Sequence, residues 1–213
     1  PERSAYAKTQ PTAVVIEPAS NDTSRELTHK LVSERITGHV EPTFMNDAMY
    51  RGIIDEPHAR DAYTKHYAGE RFRGEVREIG FITEDRYGFT LGYSPDGLVG
   101  SDGLIEIKSR TPKNQVKTVL ADVVPAEHMA QIQAGLLVTN RKWLDYVSFA
   151  GGMNLWVKRV LPDERWQKAI VEAGRRFEAN AQEEHRLYLE RVEGLPMTER
   201  VFELENPRVE LEA

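Results

Sequence analysis

Residues 103–108, Gly-Leu-Ile-Glu-Ile-Lys, constrain the fold more than any other stretch of the sequence. Isoleucine alternates with charge at the period of an extended strand, so Ile105 and Ile107 share one face while Glu106 and Lys108 share the other. Two steps along a strand cover roughly 6–7 Å, close enough for both charged groups to act on one bound phosphate and its attacking water. Such a strand needs a sheet around it and a reason to carry charge among apolar neighbours.

The surrounding pattern supplies the sheet. Residues 1–22 hold three prolines and one short apolar run and read as an extended arm, and the acidic stretch 194–213 reads as a tail. Thr23-Ser-Arg-Glu26 has the capping-box form, predicting a helix from Thr23 to Thr37 that stops at Gly38. Asn46 caps a second helical stretch reaching Ala68, with Gly69 as its stop and Pro57 either kinking it or opening a new helix inside it. Strands are predicted over 76–83, 87–94 and 103–108, joined in an antiparallel meander. Helices over 114–122 and 126–139, strands over 143–149 and 155–161, and a helix capped by Asp163 and running to Val192 complete the order. Trp166, Ile170, Ala173, Phe177 and Ala181 stripe that last helix. The expected fold class is mixed α/β, a central mixed sheet flanked by helices, in a single domain over 1–213.

Absent residues narrow the chemistry. The sequence has no cysteine, which removes disulfides, thiolate zinc sites and iron-sulfur clusters. Its net charge of −6 argues against a general polyanion binder, so contact with nucleic acid is expected to be local or metal-assisted. No apolar run is long enough to span a bilayer, and no membrane role is expected. His-Glu-x-x-His is missing, "GYSPDG" is not a nucleophile elbow, and the glycines at 97, 100 and 103 lack the Lys-Ser/Thr of a phosphate loop.

The charged strand follows Ser94-Pro-Asp-Gly97, a tight-turn signature, and a hairpin through "GSDG" returns Glu106 alongside Asp96. Two carboxylates about 4 Å apart repel by roughly 4 kcal/mol at an effective dielectric near 20, so a partly buried pair calls for a cation or a shared proton. With only oxygen ligands on offer, Mg²⁺ is the natural ion and Mn²⁺ its substitute, held by Asp96, Glu106 and the backbone carbonyl of Ile107. Lys108 would position or help deprotonate the attacking water. Glu56 shares a helical stripe with Ala59 and Tyr63, and two readings stand: a further carboxylate of the group, or the cap of a helix begun by Pro57. Gln131 and Gln133, in an otherwise apolar helix, either bond a phosphate or water or satisfy a loop carbonyl. Arg110, Lys113 and Lys117 are candidate phosphate contacts.

"RGIIDEPHAR" with Glu56, "SPDGL" with Asp96, "GLIEIK" with Glu106 and Lys108, and "HMAQIQ" with Gln131 occur in an order that resembles the phage lambda exonuclease family, the viral alkaline exonuclease and recombinase branch of the PD-(D/E)xK nucleases. The resemblance implies a restriction-endonuclease-like core and a Mg²⁺-dependent enzyme. Its expected action is to degrade one strand of linear double-stranded DNA from the 5′ end to mononucleotides, leaving a 3′ single strand for recombination. It also implies a homotrimer ring, a phage single-strand annealing protein as partner, and a phage or prophage gene acting in the cytoplasm of a bacterial host. By the same resemblance Asp96 and Glu106 are metal ligands, Lys108 activates water, Glu56 acts through water or a second metal, and Gln131 lies near the scissile end. An N-terminal arginine followed by a Gly-x-x-Thr-Ala-Ser-like stretch, usual in the family as a 5′-phosphate holder, does not occur in residues 1–40. Pro1 is not an initiator residue, so a trimmed chain or a lost loop is the expected reason. The competing readings are a PD-(D/E)xK endonuclease of restriction or repair type, and a non-catalytic module that binds DNA ends.

Overall fold

The structure, a computed structural model, describes residues 16–68 and 76–200. Residues 1–15 of the expected arm, the stop at Gly69 and most of the acidic tail lie outside them. Helix α1 (Asp22–Thr37) is capped two residues before the expected box: Asn21 and Ser24 cap each other reciprocally, the Asn21 side chain accepting from Ser24 N at 2.9 Å. Asn-x-x-Ser satisfies the same free amides as Thr-x-x-Glu and comes first in the chain. Gly38 ends the helix in the left-handed conformation (φ 65°), returning its N–H to Glu34. Helix α2 (Asp47–Tyr63) is capped by Asn46, runs through Pro57 without a second start, and closes in a π-helical turn over Thr64–Ala68.

The expected meander is not what forms. Residues 76–83 split, Val76–Arg77 (β1) joining the main sheet while Ile82–Glu84 (β2) pairs with Leu91–Tyr93 (β3) in a separate two-stranded ribbon. A strand read from sequence as turn, Gly97–Val99 (β4), stands between β1 and Gly103–Ser109 (β5) and pairs antiparallel with both. Gly97 is required there, since a Cβ would come within 2.5 Å of Val76 Cγ1. Beyond β5 come α3 (Pro112–Ala121), a short 3₁₀ turn over Ala126–His128, α4 (Met129–Thr139), β6 (Trp143–Phe149), β7 (Trp156–Val160) and α5 (Glu164–Arg191). The main sheet is mixed, in the order β1-β4-β5-β6-β7, with β5 and β6 parallel across the helical crossover of α3 and α4.

Alternation along the central strands divides the core by face. Ile105, Ile107, Trp143 and Val147 pack with Ala59 and Tyr63 of α2. Leu104, Leu144 and Tyr146 pack with Ile132 and Leu136 of α4. A sheet covered on both faces gives near-continuous burial along β5 and β6, as observed. Asp145, buried among these strands, accepts from the Tyr63 hydroxyl at 2.7 Å and from the Arg159 guanidinium at 2.8 Å through both carboxylate oxygens, tying α2 to β6 and β7. Burial first, then the hydrogen bond to Asp145 and its charge, push the Tyr63 hydroxyl far above its ordinary value. Helix α5 packs against α1, with Arg35 bonded to Glu178 at 2.7 Å, and against α4.

Candidate active site

The charged face of β5 turns toward α4, and the expected sharing of a face by Glu106 and Lys108 holds. Lys108 Nζ donates to Glu106 Oε1 at 2.7 Å and to Gln131 Oε1, on α4, at 3.0 Å. Glu106 is 1% exposed, and its second oxygen, Oε2, accepts from the Tyr93 hydroxyl at 2.8 Å. A buried carboxylate is costly unless its oxygens are bonded, and here each oxygen has its own donor.

Asp96 sits where β4 begins. Strand β4 pairs with β5 only over residues 103–105, so the rest of β5 lacks a strand partner on that side. The Asp96 side chain takes the next rung, its Oδ2 accepting from Ile107 N at 2.6 Å. Within an extended strand the N–H and C=O of one residue point to the same side, so the Ile107 carbonyl is also turned toward the Asp96 edge. Burial first, then the charges of Glu106 and Glu56, raise the Asp96 carboxyl from 3.8 to about 7, against the opposing pull of the Ile107 N–H and Lys108. Three carboxylates therefore feel one another across this edge.

Glu56 reaches the group through an intermediary. Arg60, one turn later on α2, bonds the carboxylates of Glu56 and Glu78, and its Nε donates to the Asp96 backbone carbonyl at 2.9 Å. Glu56 lies in the interior of α2 and its helix starts at Asn46, which removes the reading of Glu56 as a cap. The two glutamines divide: Gln131 bonds Lys108, whereas Gln133 is fully buried and serves the backbone, donating to Leu161 O and accepting from Asp163 N, each at 2.9 Å.

The structure brings Asp96, Glu106, Lys108, Glu56 and Gln131 together. It does not display Arg110 as a free surface cation; its guanidinium is largely buried and lies 3.2 Å from His128 Nε2. Lys113 and Lys117 are exposed on α3. Sequence reasoning missed Tyr93 and Arg60. Arg60 is four residues after Glu56 on one helical face, a spacing that pairs opposite charges; Tyr93 carries no comparable signal, because its tie to Glu106 exists only in space.

Among the described residues, no three Asp, Glu, His or Cys side chains converge closely enough to hold an ion by themselves. The carboxylates of Asp96 and Glu106 interact across this edge, toward which the Ile107 carbonyl is also turned; all are hard oxygen donors, which suits a divalent cation that keeps part of its water shell. The charge crowding around Asp96 is of the kind a cation relieves.

The sequence profile of the YqaJ-like viral recombinase domain matches residues 10–142. No curated protein matches the chain at the level of sequence. In structure the chain is similar to an alkaline exonuclease (LHK-Exo) from Laribacter hongkongensis, at 28% identity and TM-score 0.73, with 84% of this chain and 89% of that chain covered. The structure of LHK-Exo in complex with dAMP matches at 29% identity with the same score and coverage. A phage related exonuclease from Haemophilus somnus 129PT, at 14% identity and TM-score 0.54 over 83% of this chain and 92% of that one, shares the fold. Among the described residues, no helix is long and apolar enough to cross a membrane.

Proposed function

The chain belongs to the YqaJ-like viral recombinase domain family, and from that premise we propose that it is a divalent-metal-dependent exonuclease of linear double-stranded DNA. It removes nucleotides from one strand in the 5′-to-3′ direction and leaves a 3′ single strand for recombination by annealing. The observation that carries this reading is the Lys108 ammonium held between Glu106 and Gln131, next to a second, partly buried carboxylate, Asp96. The likeness to alkaline exonucleases supports it.

Asp96, Glu106 and the Ile107 carbonyl would hold Mg²⁺, with Mn²⁺ as a substitute; such an ion, when bound, supplies a Lewis acid and an acidified water. This chain's residues supply the rest. Gln131 and Glu106 hold Lys108 with its ammonium above the carboxylate edge, where it orients the attacking water and offsets charge gathering on phosphorus. Glu56, steadied by Arg60, acts through water or a second metal. Lys113 and Lys117, exposed on α3, contribute cations along the path of the strand. A homotrimer ring, a single-strand annealing protein as partner, and action in the cytoplasm of a phage-bearing host belong to the same reading.

The test is incubation with linear and covalently closed duplex, each with and without Mg²⁺. Metal-dependent loss of linear DNA alone is expected. Cutting of closed circles would make the protein an endonuclease, and retention of ends without cutting a binding module. End-labelled substrates read the polarity, and mass in solution reads the ring.

A further inference from the structure

Tyr93 ends β3, in the small ribbon outside the main sheet, yet it is tied to the centre of the candidate site. Its ring is almost fully buried against α4 at Gly135, where an added Cβ would lie 2.6 Å from the ring, so only glycine admits it. Its hydroxyl donates to Glu106 Oε2 at 2.8 Å. Three residues later, Asp96 accepts from Ile107 N at 2.6 Å. The segment 93–96 is thus fastened to the segment 106–107 by two rungs, one ending on each carboxylate. Gln131 and Gly135 are four residues apart on α4 and face the same way, so the helix that seats the Tyr93 ring also holds Lys108.

We propose that Tyr93 is a positioning residue for metal binding: it pins Oε2 of Glu106 and fixes the plane of that carboxylate, so that Oε1, which also accepts from Lys108, is the oxygen offered to the cation. This rests on the nuclease reading above. Lys108 cannot do the same work, because its long stem is partly exposed and its ammonium is shared with Gln131. Tyr93 has two side-chain torsions and a closed seat. Its hydroxyl is spent on Glu106, so its influence falls on metal affinity and on the spacing of the two carboxylates. Partners of this kind typically change metal affinity by about 10- to 100-fold when removed.

The experiment is calorimetric titration of Mn²⁺ into DNA-free protein, for wild type, Tyr93→Phe and Glu106→Gln, with turnover of linear duplex followed against Mn²⁺ concentration. Tyr93→Phe is expected to weaken Mn²⁺ binding about 10- to 100-fold, to raise the Mn²⁺ concentration for half-maximal rate in proportion, and to regain wild-type kcat and an unchanged KM for DNA at saturating Mn²⁺. Gly135→Ala keeps the hydroxyl but displaces the ring, and is expected to shift the same two quantities in the same direction; it decides the matter if Tyr93→Phe does not fold. Wild-type Mn²⁺ affinity in the folded variants, or a loss of turnover that saturating Mn²⁺ does not restore, would overturn the proposal. Failure of the wild type to bind Mn²⁺, or undiminished binding by Glu106→Gln, would overturn the nuclease reading and this inference with it.

Discussion

Arg60 Nε, on α2, donates to the backbone carbonyl of Asp96 at 2.9 Å, and the same guanidinium holds Glu56. One side chain thereby fixes the height of the Asp96 turn against the helix that carries a third carboxylate. Lysine offers a point charge in place of a planar fork and cannot serve both partners. Arg60→Lys is expected to cost about 1–2 kcal/mol of stability, read from urea midpoints, and to slow turnover by about tenfold through the displaced turn. Unchanged rates would mean that the Asp96 turn holds its place without the fork.

Asp96 and Lys108 should fail in different ways. Asp96→Asn removes a repelling charge, so the variant is expected to remain folded while losing Mn²⁺ binding and cleavage together. Lys108→Ala leaves the carboxylates in place and is expected to keep Mn²⁺ binding while turnover falls about 10²- to 10⁴-fold, the range for a positioned proton-transfer group. Calorimetry and single-turnover rates separate the two. Near-normal rates in Lys108→Ala would remove the ammonium from the chemistry.

The raised Asp96 carboxyl has a signed consequence for the metal-free protein. Between 3.8 and about 7 the folded state holds a proton that the unfolded chain has released. More protons on the folded state means that stability falls as pH rises through that window and levels off above it. Urea midpoints of wild type and Asp96→Asn, taken across the window without metal, are expected to diverge as pH rises, with the asparagine variant gaining. Parallel curves would show that Asp96 does not titrate there.

Gln131 and Gln133 lie two residues apart and are expected to report opposite functions. Gln131→Ala frees one side of the Lys108 ammonium and should lower turnover with little effect on stability. Gln133→Ala strips the partners from the Leu161 carbonyl and the Asp163 amide and should cost about 1–3 kcal/mol, with the rate per folded molecule unchanged. Thermal melts beside initial rates measure both.

Much of this architecture could be read from the residues because single elements carried strong signals. Ile105 and Ile107 alternating with charge announced β5, the full span of β6 was visible in its apolar run, and Asp163 marked the start of α5. Gathering Asp96, Glu106 and Lys108 in one place needed only the turn and the strand after it. What escaped was set by space. Strand β4 is three residues between two turn signals, too short for any periodicity, and its presence displaces β3 from the sheet. Asn21 and Ser24 outcompeted a box of equal form by standing earlier in the chain. Tyr93 and Arg60 meet their partners through tertiary packing, which no local pattern encodes.

The parallel pairing of β5 with β6 carries a last implication, for how the molecule comes into being. The strand bearing Glu106 and Lys108 finds its longest neighbour only after residues 110–142 have been made and folded back over the sheet. A polypeptide stopped at residue 142, where the family match ends, would hold every acidic and basic group of the cluster yet lack the backing strand and the Asp145 anchor for α2. Assembly of the working centre is therefore a late, non-local event on the folding path, and a ribosome-bound nascent chain acquires it only once β6 has emerged.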